Sequence, residues 1–175
     1  EFYLDDLLYR VLWNPLKWLG NQLSFFGSIW VIIPAIGFFA WGMYESVMGT
    51  MPEGSAHLLS LLFACIGLVL VLKSFTERHK VFLAWSFILL NHLSVALAVS
   101  FNEHYDVEHN AIYLSGIVLS WIIGWIVLRF LKNKHQDLDL HRFHGLVNHF
   151  PMLAMVFFLS CLGMSGFPIT PSFIG

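Results

Sequence analysis

Asn91 and His92 sit in the middle of an apolar run, residues 81–101, where polar side chains are expensive to place. An imidazole titrates near neutral pH and can hand a proton along a relay, so ion movement is the sharper expectation for His92. The plainer expectation is a neutral ring that hydrogen-bonds to a neighbouring helix and locks its packing. Lys80 stands at the head of the same run. Asn91, His92 and Lys80 are therefore candidate ion-path residues.

A second group lies in "HQDLDLHRFHGLVNHF", which carries His135, His141, His144 and His149. His141 and His144 are three apart and would share a helix face, so a metal or haem site is conceivable. No cysteine lies near, and Asp137 and Asp139 have Lys134 and Arg142 close by in sequence. A closed ligand set is missing, so neither metal nor cofactor is expected. His144 and His149 join the ion-path candidates.

These residues need a scaffold, and composition says which kind. Hydrophobic residues make up 58% of the 175 and charged ones 11%. A soluble domain is nearer half apolar and a quarter charged, so this chain belongs in lipid. Net charge is -2, which gives no reason to expect a nucleic-acid partner. Cys65 and Cys161 fall in apolar runs and read as small hydrophobes without disulfide chemistry. No phosphate-cradling glycine loop or serine elbow is present, and an enzyme is not expected.

A bilayer core about 30 Å thick needs about 20 apolar residues per helix. Four runs qualify, at 23–47, 56–72, 81–101 and 111–131, and a fifth starts at Pro151 and fades by 166. The fold class expected is thus all-α: a transmembrane bundle of about five spans over residues 23–175. Arg10 and Lys17 precede the first span. Lys73, Arg78 and Lys80 separate the second from the third, and Arg129, Lys132, Lys134 and Arg142 the fourth from the fifth. The alternate loops carry Glu53, Glu103, Asp106 and Glu108 but no lysine or arginine. The positive-inside rule then puts the N-terminus in the cytoplasm of a cell whose inner membrane holds the chain.

Residues 1–22 read as an amphipathic interfacial helix. Leu4, Leu7, Leu8, Val11 and Leu12 recur at helical spacing, Asp5, Asp6 and Arg10 take the other side, and Asn14-Pro15 interrupts it. The last turn of an earlier domain would give the same pattern. The chain opens without methionine or a signal-peptide pattern and stops inside a broken stretch, so it reads as an excerpt of a longer protein.

That broken stretch, "CLGMSGFPITPSFIG", packs Gly163, Gly166, Pro168 and Pro171 into a few residues. Backbone freed from a helix survives at membrane depth only inside protein or beside water, and transporters use such half-helix ends to face ions. A helix that merely exits into an outer loop is the alternative. In the fourth span, Ser115, Gly116, Ser120 and Gly124 would let another helix approach closely.

Three stretches resemble one family, the antiporter-like membrane subunits of respiratory complex I and of Mrp-type Na+/H+ antiporters. "ERHKVFLAWSFILLNHLS" is similar to a family segment in which a basic loop enters a helix, with Lys80, Leu83, Ala84, Trp85 and Ser86 matching. "HGLVNHFPMLAMVFFLSCLGMSGFPITPSFIG" resembles a second at Gly145, Leu146, Pro151, Gly166, Pro168, Phe173 and Gly175. The opening, through Phe2, Tyr3, Asp5 and Asp6, resembles the closing amphipathic piece of the largest such subunit.

The resemblance implies a proton- or Na+-translocating complex with other subunits as partners, of the kinds found with quinone oxidoreductases, cation antiporters or inorganic-carbon uptake. Two departures bear on it. Where the family carries a lysine- and histidine-bearing helix, this chain has Trp121, Gly124 and Trp125, and His92 lies about two residues beyond the family's histidine. A scaffold that has kept the bundle and lost the relay is thus a competing expectation. A haem- or metal-binding redox protein using His141, His144 or His149 is a third.

Overall fold

The computed structural model describes residues 4–22, 29–48, 52–77, 79–101, 107–135, 138, 145–168 and 170–174. Among them all regular structure is helical, in the order α1 (Leu4–Leu8), a π-helical turn (Tyr9–Trp13), α2 (Asn14–Gln22), α3 (Ile29–Met48), α4 (Glu53–Thr76), α5 (Val81–Ser100), α6 (Val107–His135), α7 (Leu146–His149), α8 (Pro151–Met164) and α9 (Pro171–Ile174). Three helices, over Gly54–Thr76, Val81–Ser100 and Val107–Lys134, are long and apolar enough to cross a membrane. Their exposed faces carry Leu58, Leu61, Leu68, Leu119 and Ile126, which suits a lipid surround.

The α4–α5 hairpin is the centre of the fold. Ser74 Oγ donates to the Ala84 carbonyl (2.9 Å) near the connecting turn, and Ser60 Oγ donates to the Ala98 carbonyl (2.6 Å) near the far end. Midway, Gly67 faces Asn91. These contacts recur every seven residues on both helices, at 60, 67 and 74 and at 98, 91 and 84. Seven is two turns of a slightly underwound helix, the spacing that keeps one seam against a partner. Small residues at all three α4 positions let the backbones come close, the usual means of helix association where lipid removes any hydrophobic drive.

α3 packs on this hairpin through aromatic rings. Phe38 stacks on Phe63 of α4 with centroids 4.9 Å apart, and Phe63 stacks on Phe101 at 5.9 Å. Phe63 is fully buried, with Leu59, Leu97 and Ala98 around it. The second cluster, Trp85, Ile117, Leu128 and Met164, joins α5, α6 and α8.

At the start of the chain the sequence places a break at Asn14-Pro15, and the helix instead rewinds one turn ahead of it. Pro15 lacks an N–H, and its ring would press on the carbonyl four residues back. Widening the ladder before it relieves the clash: the Asn14 N–H reaches the Tyr9 carbonyl, five residues back. α2 then lies against α4, and Trp13 meets Phe75 edge-on at 6.4 Å.

Two further boundaries differ from the sequence reading. α6 extends to His135, several residues past the apolar run. α8 ends at Met164, so its 14 residues cover only about 21 Å.

Basic residues collect at one end of the molecule. Lys73 lies in the last turn of α4 and Lys80 caps α5. Lys132 of α6 sits 5.3 Å over the Phe82 ring of α5, which brings the end of α6 to the same place. Lys134 lies 4.8 Å over Phe150, at the entry to α8.

Candidate functional site

Successive residues on a helix point about 100° apart, so Asn91 and His92 cannot face the same neighbour. Asn91 is turned toward Gly67 of α4. His92 is turned toward α6, where its Nδ1 lies 2.7 Å from the Tyr113 hydroxyl. Which of the two donates depends on the histidine tautomer. The same face of α5 meets α6 twice more. Trp85 Nε1 donates to the Trp121 carbonyl (3.0 Å), and Asn110 Nδ2 donates to the Ala96 carbonyl (3.4 Å). A neutral pair of this kind can exchange a proton, and it also fixes the register of two helices.

The buried charged group at the basic end is Lys73. Lys80 is exposed. Lys73 is 2% exposed and makes an ion pair of 2.6 Å with Glu77, one turn later. Its position in the last turn of α4 also suits a cation, because the helix carbonyls converge there. About 18 Å of α5 separates Lys80 from His92, so the two do not form one site.

α8 meets α6 through small residues. Ser160 Oγ of α8 donates to the Ser120 carbonyl (2.7 Å). A Cβ on Gly124 would collide with the Trp85 ring and lie 2.6 Å from Ser160 Oγ. A Cβ on Gly163 would collide with Ser120 Oγ. Trp121 and Gly124 thus take part in the junction of α5, α6 and α8. Trp121 Nε1 is buried and has no acceptor among the described residues.

Gly163, which reads from sequence as part of the broken stretch, lies in the last turn of α8 and is a contact point for α6. The break falls at Gly166, whose φ is +70°, a conformation that glycine adopts without strain. The Phe167 N–H turns back to the Leu162 carbonyl (3.2 Å), which is a Schellman close. That diversion leaves the Gly163 carbonyl without its usual helical donor. Ser172 Oγ, from α9, supplies one at 2.7 Å. Pro168 is an exposed turn residue and Pro171 opens α9. α9 packs against α6 as well as α8.

His149 is exposed at the end of α7. His141 and His144 lie outside the described residues, and among the described ones no group of three or more metal-binding side chains comes together. Two residues escaped the sequence reading. Tyr113 carries a hydroxyl near the start of an apolar run, a signal that was present. Lys73 looked like a topology marker at the end of a span, and only the packing of its neighbours shows it to be buried.

The chain matches no protein-family model, no curated protein and no solved structure.

Proposed function

We propose that this chain is a five-span, multi-pass membrane subunit of an antiporter-like complex that moves protons or Na+, with its N-terminal amphipathic helix on the cytoplasmic face. The observation that carries the proposal is the His92–Tyr113 contact, a titratable ring and a hydroxyl held at 2.7 Å between two apolar helices. His92 lies about 12 Å from the end of α5, well inside the span. Segregation of the basic residues at one end supports the orientation. The family resemblance supports the class of complex.

Proton uptake into vesicles containing the intact protein tests the reading. His92→Leu and Tyr113→Phe are each expected to slow it, and uptake unchanged in His92→Leu removes this pair from any path.

The second reading is a scaffold that holds a complex together without its own ion path. It is favoured by α6, where Trp85, Gly124 and Ser160 meet at close range in place of a relay residue. This reading expects loss of residues 81–175 to abolish assembly with partner subunits, while substitutions at His92, His144 or His149 leave assembly and transport intact.

A further inference from the structure

A cavity of about 330 Å³ lies between α2 and the last turns of α4, lined by Trp13, Leu16, Lys17, Asn21, Leu72, Phe75, Thr76 and His79. Its chemistry is divided. Trp13, Leu16, Leu72 and Phe75 give an apolar wall, and Lys17 and His79 give an exposed basic rim with no acidic residue in the lining. Leu72 ends the apolar run of α4, and Lys73 follows at once, so the cavity stands where the hydrocarbon gives way to headgroups. An amphipathic ligand with an anionic head fits that division, and a free anion leaves the aromatic wall unused.

We propose that this cavity seats an anionic phospholipid, its phosphate at Lys17 and His79 and its upper acyl carbons against Trp13, Leu72 and Phe75. The occupant follows from charge complementarity at the membrane surface and from the continuity of apolar wall and basic rim. The site is independent of any ion path. A lipid there would fill the gap between α2 and α4, and so hold the interfacial helix to the bundle.

Native mass spectrometry of the intact protein in detergent, titrated with phosphatidylglycerol or with phosphatidylcholine, tests the assignment. The first phosphatidylglycerol is expected to bind about five-fold tighter, the preference that one basic residue near a membrane surface confers. In Lys17→Gln/His79→Gln the preference should vanish, and in Lys17→Arg it should persist. Both positions are exposed. Equal binding of the two lipids overturns the proposal, as does a preference that survives the double substitution. Displacement of the bound lipid by inorganic phosphate alone makes the cavity a plain anion site and overturns the lipid assignment.

Discussion

Asn91 of α5 stands directly over Gly67 of α4, so close that a Cβ on Gly67 would lie 3.0 Å from Asn91 Oδ1 and 3.3 Å from Ser94 Cβ. Ser94 is itself fully buried, which leaves it little room to retreat. The middle contact of the α4–α5 seam is therefore set by the lack of a side chain on one helix.

Gly67→Leu is expected to destabilise the protein by about 1–3 kcal/mol, the usual result of forcing carbon into a packed seam. Gly67→Ala should cost far less, because better helix propensity offsets part of the crowding. Unfolding in a denaturing detergent titration orders the two variants, and equal behaviour would show that the seam opens freely.

The His92–Tyr113 contact should have a modest energy. Hydrogen bonds between membrane helices couple by about 0.6 kcal/mol on average and rarely above about 1.7. A double-mutant cycle with His92→Leu and Tyr113→Phe, read in the same titration, is expected to return a coupling in that range. No coupling would mean that the two groups do not meet in the folded protein.

The Lys73–Glu77 pair predicts an asymmetry. Glu77 is 17% exposed and can turn to water if its partner is lost. Lys73 is buried, so Glu77→Ala, which takes the carboxylate from beside it, is expected to be the costlier substitution. Lys73→Met removes the buried charge and keeps most of the volume, and should be much milder. Thermal unfolding of the two variants gives the order directly, and the reverse order would show Lys73 to be solvated.

The α6–α8 contact predicts a rescue. Gly163→Ala drives a methyl into Ser120 Oγ and should loosen the pair by about 1–3 kcal/mol. Adding Ser120→Ala removes the oxygen that is struck. The double variant is expected to be more stable than Gly163→Ala alone, a non-additive result in the same unfolding measurement.

Much of this was legible in the sequence, and what was not follows one rule. Apolar length gave α4, α5 and α6 because a spanning helix needs little beyond hydrophobic residues in a row. Adjacency alone implied that Asn91 and His92 face different ways, but not that Gly67 and Tyr113 are what they face. Such pairing depends on the register of two helices, which no single segment contains. Gly163 shows the same limit from the other side. A glycine that opens a turn and a glycine that admits a neighbour look alike until the neighbour is in place.

The two polar residues of α5 also differ in when they are accommodated. Translation delivers helices in order, so α4 is already made when α5 reaches the bilayer, and the amide of Asn91 can pack on arrival. The imidazole of His92 must wait for α6, and until Tyr113 emerges it faces hydrocarbon or whatever chaperone shields it. A chain cut after residue 101 would hold a hairpin satisfied on one flank and exposed on the other.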